Sequence, residues 1–142
     1  MLRALAQLAA LGAARAGSAQ TLSTAGTPTL RVSSAVAGSA PTVVSVSTTT
    51  ISYTTPNGGP GLRLQANVAS ALPAGVTLEI SVTAPSGSTS SGFVTMSTSY
   101  ANLTAGIPKN SSGTLTVTHR LTATSAAGVL GPATRTVNFR LF

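Results

Sequence analysis

Val76-Thr77-Leu78-Glu79-Ile80-Ser81-Val82-Thr83 alternates an apolar with a polar side chain at every step. In extended backbone, successive Cβ atoms point to opposite faces, so Val76, Leu78, Ile80 and Val82 share one side of a strand and Thr77, Glu79, Ser81 and Thr83 the other. On a helix the same residues would scatter around the axis and define no face. The octet therefore predicts a strand that is half buried and half wet.

Working toward the N-terminus, Leu72-Pro73-Ala74-Gly75 reads as a turn, and before it Leu62, Leu64, Ala66 and Val68 alternate with Arg63, Gln65 and Asn67. Pro56-Asn57-Gly58-Gly59-Pro60 is a loop, because Asn and Gly accept positive φ and Pro cannot donate to a ladder. Thr42 to Tyr53 is long, with Val44 and Val46 on one parity and Ile51 and Tyr53 on the other. An inserted residue switches the face that later residues use, so a bulge near Thr48-Thr49 is expected. Thr29 to Val36, with Leu30 and Val32, is expected as a further strand, preceded by a flexible leader over 20–28.

Toward the C-terminus, Pro85 to Gly92 reads as a Ser/Gly loop and Phe93 to Tyr100 as a strand. Leu103 and Ile107 sit in a connection ending at Pro108 to Gly113. Leu115, Val117, His119, Leu121 and Ala123 then form an inward row, and after a turn at Gly128 to Pro132 the chain closes on Val137, Phe139 and Leu141. About seven strands at this spacing predict an all-β fold: a single antiparallel immunoglobulin-like (Greek-key) sandwich over 29–142.

Composition agrees. Only 6% of the 142 residues are charged and 42% are hydrophobic, with Thr, Val and Ser where Lys and Glu would usually stand. Branched side chains pack well on a pleated surface. The length allows one domain. The net charge of +7 comes from eight bases against the lone acid Glu79, and the bases are scattered. Nucleic-acid binding is not expected, since it calls for a dense basic stripe with interleaved aromatics. A weak attraction to an anionic surface polysaccharide remains open. With no cysteine, the fold has no disulfide and no thiolate chemistry.

Residues 1–19 read as a signal peptide. Arg3 gives a positive start, Ala4 to Ala14 is apolar, and Gly17-Ser18-Ala19 supplies small residues before Gln20. The apolar run is too short to span a bilayer, and no later segment is long enough. The expectation is export to the periplasm, cell surface or extracellular space.

Chemistry is sparse. One carboxylate and one imidazole exclude paired-carboxylate hydrolysis and any metal site built from several His, Asp or Glu side chains. A Ser-His-Glu triad of His119, Glu79 and a serine lacks the Gly-x-Ser-x-Gly elbow that would present the nucleophile. His119, between Val117 and Leu121, reads as a packed histidine. Gly58-Gly59-Pro60-Gly61 lacks the Lys and helix of a phosphate loop. Asn102-Leu103-Thr104 and Asn110-Ser111-Ser112 match the glycosylation sequon, a match that a Ser/Thr-rich chain produces readily. No catalytic residue, cofactor site or metal site is expected.

A small sandwich with few aromatics and no disulfide gains from pairing its edges with another chain. The last strand carries only Arg135 and Arg140 as charged residues. Thr136, Val137, Asn138, Phe139, Arg140 and Leu141 are the candidate partner-pairing residues, an ordinary internal strand being the alternative.

Four stretches carry a resemblance: Ser52 to Gly59 (SYTTPNGG), Leu72 to Leu78 (LPAGVTL), Leu103 to Pro108 (LTAGIP) and Thr134 to Phe139 (TRTVNF). From the first to the last they span most of the chain after residue 20, and they resemble small secreted bacterial β-sandwich proteins of the fimbrial-subunit-like, uncharacterised-domain type. That resemblance implies an aromatic residue where His119 stands, a departure here, and it brings no catalytic residues. The expected role is an exported structural or surface protein that is not an enzyme. It would self-associate into a pilus-like filament or join another envelope protein by edge-strand pairing. The alternative is an adhesin or glycan-binding module.

Overall fold

A computed structural model describes residues 20–33, 36–57, 61–128 and 133–142. The expected signal peptide, residues 1–19, lies outside the described residues, as do 34–35, 58–60 and 129–132 of the expected strand and loops.

The strands are β1 (Thr21–Ala25), β2 (Thr42–Thr54), β3 (Leu62–Val68), β4 (Val76–Val82), β5 (Thr89–Ser90), β6 (Val94–Thr95), β7 (Ala101–Ile107), β8 (Ser112–Ala123) and β9 (Val137–Leu141). One sheet has the order β1-β2-β8-β4-β6 and the other β5-β7-β3-β9. Every ladder is antiparallel. The two sheets form a sandwich, with the all-β class read from the sequence. Its core holds Ile51, Leu64, Ile80, Leu103, Ile107 and Val117, all fully buried. Each such side chain contributes about 1.5–3 kcal/mol relative to exposure.

Alternation does what was expected of it in β4, where Leu78, Ile80 and Val82 are buried. On the other face Glu79 stands opposite Arg120 and accepts a 2.8 Å bond from its Nε. The parity change in β2 is a bulge: Val46 pairs with His119 and Thr49 with Val117, so Ser47 and Thr48 oppose Thr118 alone. Val44 and Val46 stay on the inner side before it, and Thr49, Ile51 and Tyr53 take that side after it.

Four expectations fail. The leader is not wholly flexible, since Thr21–Ala25 is a strand paired with the far half of β2, so the sandwich starts earlier than residue 29. Thr29 to Val36 forms no strand among its described residues. Gly26, at φ +91°, passes so close to the bulge that a Cβ there would lie 2.4 Å from the Thr48 carbonyl oxygen. That turn and Pro28 take the chain off the sheet. Leu30 and Val32 reach half burial as covering coil, outside any ladder.

Phe93 to Tyr100 contributes only Val94–Thr95 to the first sheet. Ser97 captures the backbone of Ser99 with its hydroxyl, a local competitor of the ladder, and the chain crosses to the second sheet. Ala101–Ile107 is β7, although Leu103 to Ile107 was expected as a connection. Its pairing with β3 is irregular, and adjacent Leu103 and Thr104 are both buried, so no alternation announces it.

Thr55 ties the end of β2 to the β7–β8 turn. Its hydroxyl donates to the Pro108 carbonyl at 2.8 Å and accepts from the Ser111 amide at 2.8 Å.

Candidate functional site

The strand β9 lies at one edge of the second sheet. It pairs with β3 on one side, and no strand among the described residues lies on the other. Arg63 and Phe142 exchange both backbone hydrogen bonds at 2.9 Å, and the Ala69 amide donates to the Thr136 carbonyl at 2.9 Å. Alternation in an antiparallel pair then sets the rest. Thr136, Asn138, Arg140 and Phe142 turn their backbone groups toward β3. Val137, Phe139 and Leu141 turn theirs outward. Of the candidate pairing residues, Thr136 precedes the strand, and three of the other five present free-edge backbone.

Gln20 touches this edge. Its side-chain Nε2 donates to the Leu141 carbonyl at 2.9 Å, joining the start of the first sheet's β1 to the second sheet's β9. These two edges bound the same seam of the sandwich. Further along, the seam opens into a cavity of about 440 Å³. Leu30, Leu72, Leu78, Leu121, Val137 and Phe139 supply its apolar walls.

Two buried polar side chains also line it. His119 and Thr49 are each 3% exposed, and neither His119 Nδ1 nor Thr49 Oγ1 has a hydrogen-bond partner among the described residues. Burial holds the His119 imidazole below its ordinary pKa, so the ring is neutral at pH 7. His119 is packed against its strand neighbours Val46 and Ile80, and its Nδ1 is closed to solvent.

On the outer face of the second sheet, polar side chains form a row across three strands. Gln65 Nε2 donates to Asn102 Oδ1 at 2.7 Å, and Arg140 Nε donates to Gln65 Oε1 at 2.8 Å. The Arg140 guanidinium lies 3.9 Å from the Tyr100 ring centre and 5.0 Å from that of Phe142, attracted by the ring faces. Beside it, Asn138 Nδ2 donates to Asn67 Oδ1 at 3.1 Å.

Glu79 and His119 lie on opposite faces of the first sheet, so the carboxylate cannot orient the imidazole. Arg120 holds the Glu79 carboxyl below its usual pKa, first through their hydrogen bond, and lies over the Phe93 ring at 3.9 Å. Among the described residues, no three His, Cys, Asp or Glu side chains gather as a metal site requires. No helix among them is long and apolar enough to cross a membrane.

Sequence reasoning singled out β9 but missed Gln20 and Thr49. No sequence signal marks either, because their importance arises only once the seam is known to be open. No protein-family model, curated protein or solved structure matches the chain.

Proposed function

We propose that the chain is an exported structural subunit of an envelope or cell-surface assembly, associating through the outward edge of β9. One observation carries this reading: Val137, Phe139 and Leu141 present an edge with no strand among the described residues beside it, next to an unfilled apolar seam. An edge of that kind is a template for another strand. Export rests on the expected signal peptide. The sparse titratable chemistry supports a structural role over a catalytic one.

Sedimentation and negative-stain microscopy of the processed protein test it. Concentration-dependent association is expected, and protein that stays monomeric at high concentration overturns the reading.

A second reading has its own observation. Tyr100 and Phe142, 38% and 65% exposed, flank the Arg140 cation on one sheet face, an arrangement suited to the ring and carboxylate of an acidic sugar. A glycan array with no signal removes it.

A further inference from the structure

We infer that the partner at β9 is the β9 of a second copy of this chain, antiparallel, with Phe139 on the twofold axis. This rests on the association reading above and specifies its partner and register. Three residues turn their backbone groups outward, and Phe139 is the middle one. Rotating β9 by 180° about an axis at Phe139 sets Phe139 opposite its own copy and Val137 opposite the second copy's Leu141. Each of these is a hydrogen-bonded pair, so every outward amide and carbonyl of the three residues finds a partner at once. A shift by one residue would oppose outward groups to backbone already bonded to β3.

Side chains agree with this register. Arg140 falls opposite the second copy's Asn138. Among the described residues the two terminal nitrogens of Arg140 find no hydrogen bond, and Asn138 already spends its amide nitrogen on Asn67, which leaves its oxygen as an acceptor. The polar row Asn102–Gln65–Arg140 would continue across the junction to Asn138 and Asn67 of the second copy. On the inner face the two half-buried Phe139 rings meet at the axis and close the mouth of the seam. No acid and no like-charge pair lies opposite.

Gln20 sits at the end of this edge and uses one lone pair of the Leu141 carbonyl. It covers part of the template, so its removal favours pairing. An isologous contact closes on itself, so the product is a dimer, and a longer assembly requires a second surface.

The cysteine-free chain makes the test direct. Opposed residues of a non-hydrogen-bonded pair bring their Cα atoms to about 4.5 Å, within disulfide reach. Singly substituted Asn138→Cys and Arg140→Cys proteins are mixed and oxidised. Efficient cross-linking of the mixture, and little in either variant alone, is expected. Val137→Pro provides a second arm, because it deletes an outward amide while leaving the bonds to β3 intact. It should weaken dimerisation about tenfold or more with an unchanged circular dichroism spectrum. Gln20→Ala should tighten it. Wild-type association that persists in Val137→Pro, with equal cross-linking of mixed and single variants, overturns this register while the association reading stands. A wild-type protein that never associates overturns both.

Discussion

The sandwich has two seams, and the chain treats them differently. At the β5/β6 side the sheets are stitched by the chain itself. Ser90 Oγ donates to the Val82 carbonyl at 2.8 Å, the Met96 amide to the Leu78 carbonyl at 2.8 Å, and the Val68 amide to the Ser97 carbonyl at 2.9 Å. Leu103 and Met96 fill the interior behind these bonds. At the β1/β9 side, the Gln20 side chain makes one bond across the gap, and beyond it lies the cavity with His119 and Thr49. The strands on the two sides draw on the same few residue types. What differs is continuity: one seam is crossed by consecutive residues, and the other lies between strands remote in sequence. A crossing that is local in sequence costs little loop-closure entropy, whereas the open seam has no short segment available to bridge it.

The largest expected contrast is in truncation. Leu103→Ala, at a fully buried position beside the stitched seam, should cost about 2–5 kcal/mol in urea or thermal unfolding. Phe139→Ala should cost less than about 2 kcal/mol, because the ring is half buried and already borders empty space. Equal losses would break the comparison.

Hydroxyl removal should fall evenly on the two sides. Among the described residues, neither Thr104 Oγ1 near the stitched seam nor Thr49 Oγ1 beside the cavity has a hydrogen-bond partner, and both atoms are closed to solvent. Thr104→Val and Thr49→Val should therefore each stabilise by about 1 kcal/mol in urea unfolding. A clearly smaller gain for Thr49→Val would show that water reaches its hydroxyl from the cavity and would sharpen the contrast between the seams.

The smallest effect is a pH slope confined to the open side. Burial holds the His119 pKa below the ordinary imidazole value of 6.5 in the folded state, so the unfolded chain takes up the proton first as pH falls. Stability from this group is complete above the unfolded value and declines below it until the folded pKa is passed. Wild-type unfolding free energy should fall gently below neutrality, and His119→Leu should flatten that decline above the carboxylate range of Glu79. A slope unchanged in the variant would assign it elsewhere.

Much of this architecture was legible in the chain. Five strands (β2, β3, β4, β8 and β9) declare themselves by strict alternation, and the β2 bulge by its change of parity between Val46 and Ile51. β7 was hidden because its irregular pairing with β3 buries both Leu103 and Thr104, and because Ala, Asn and Gly carry little strand preference. Leu30 and Val32 misled in the opposite direction, alternating without a ladder. The candidate site was legible only as a strand, Thr136 to Leu141. Which side of that strand is bare depends on strand order, and strand order is set by pairings between distant residues that no local pattern encodes.

The buried Thr55 knot shows when this molecule can take shape. It joins residues 56 positions apart, and β8, which it locks beside β2, is also the strand that joins β2 to β4. A chain stopped before Ser112 would possess both flanking strands and lack the one between them. The first sheet therefore waits for the last quarter of the polypeptide, and a nascent or threading chain stays unassembled until that portion is free.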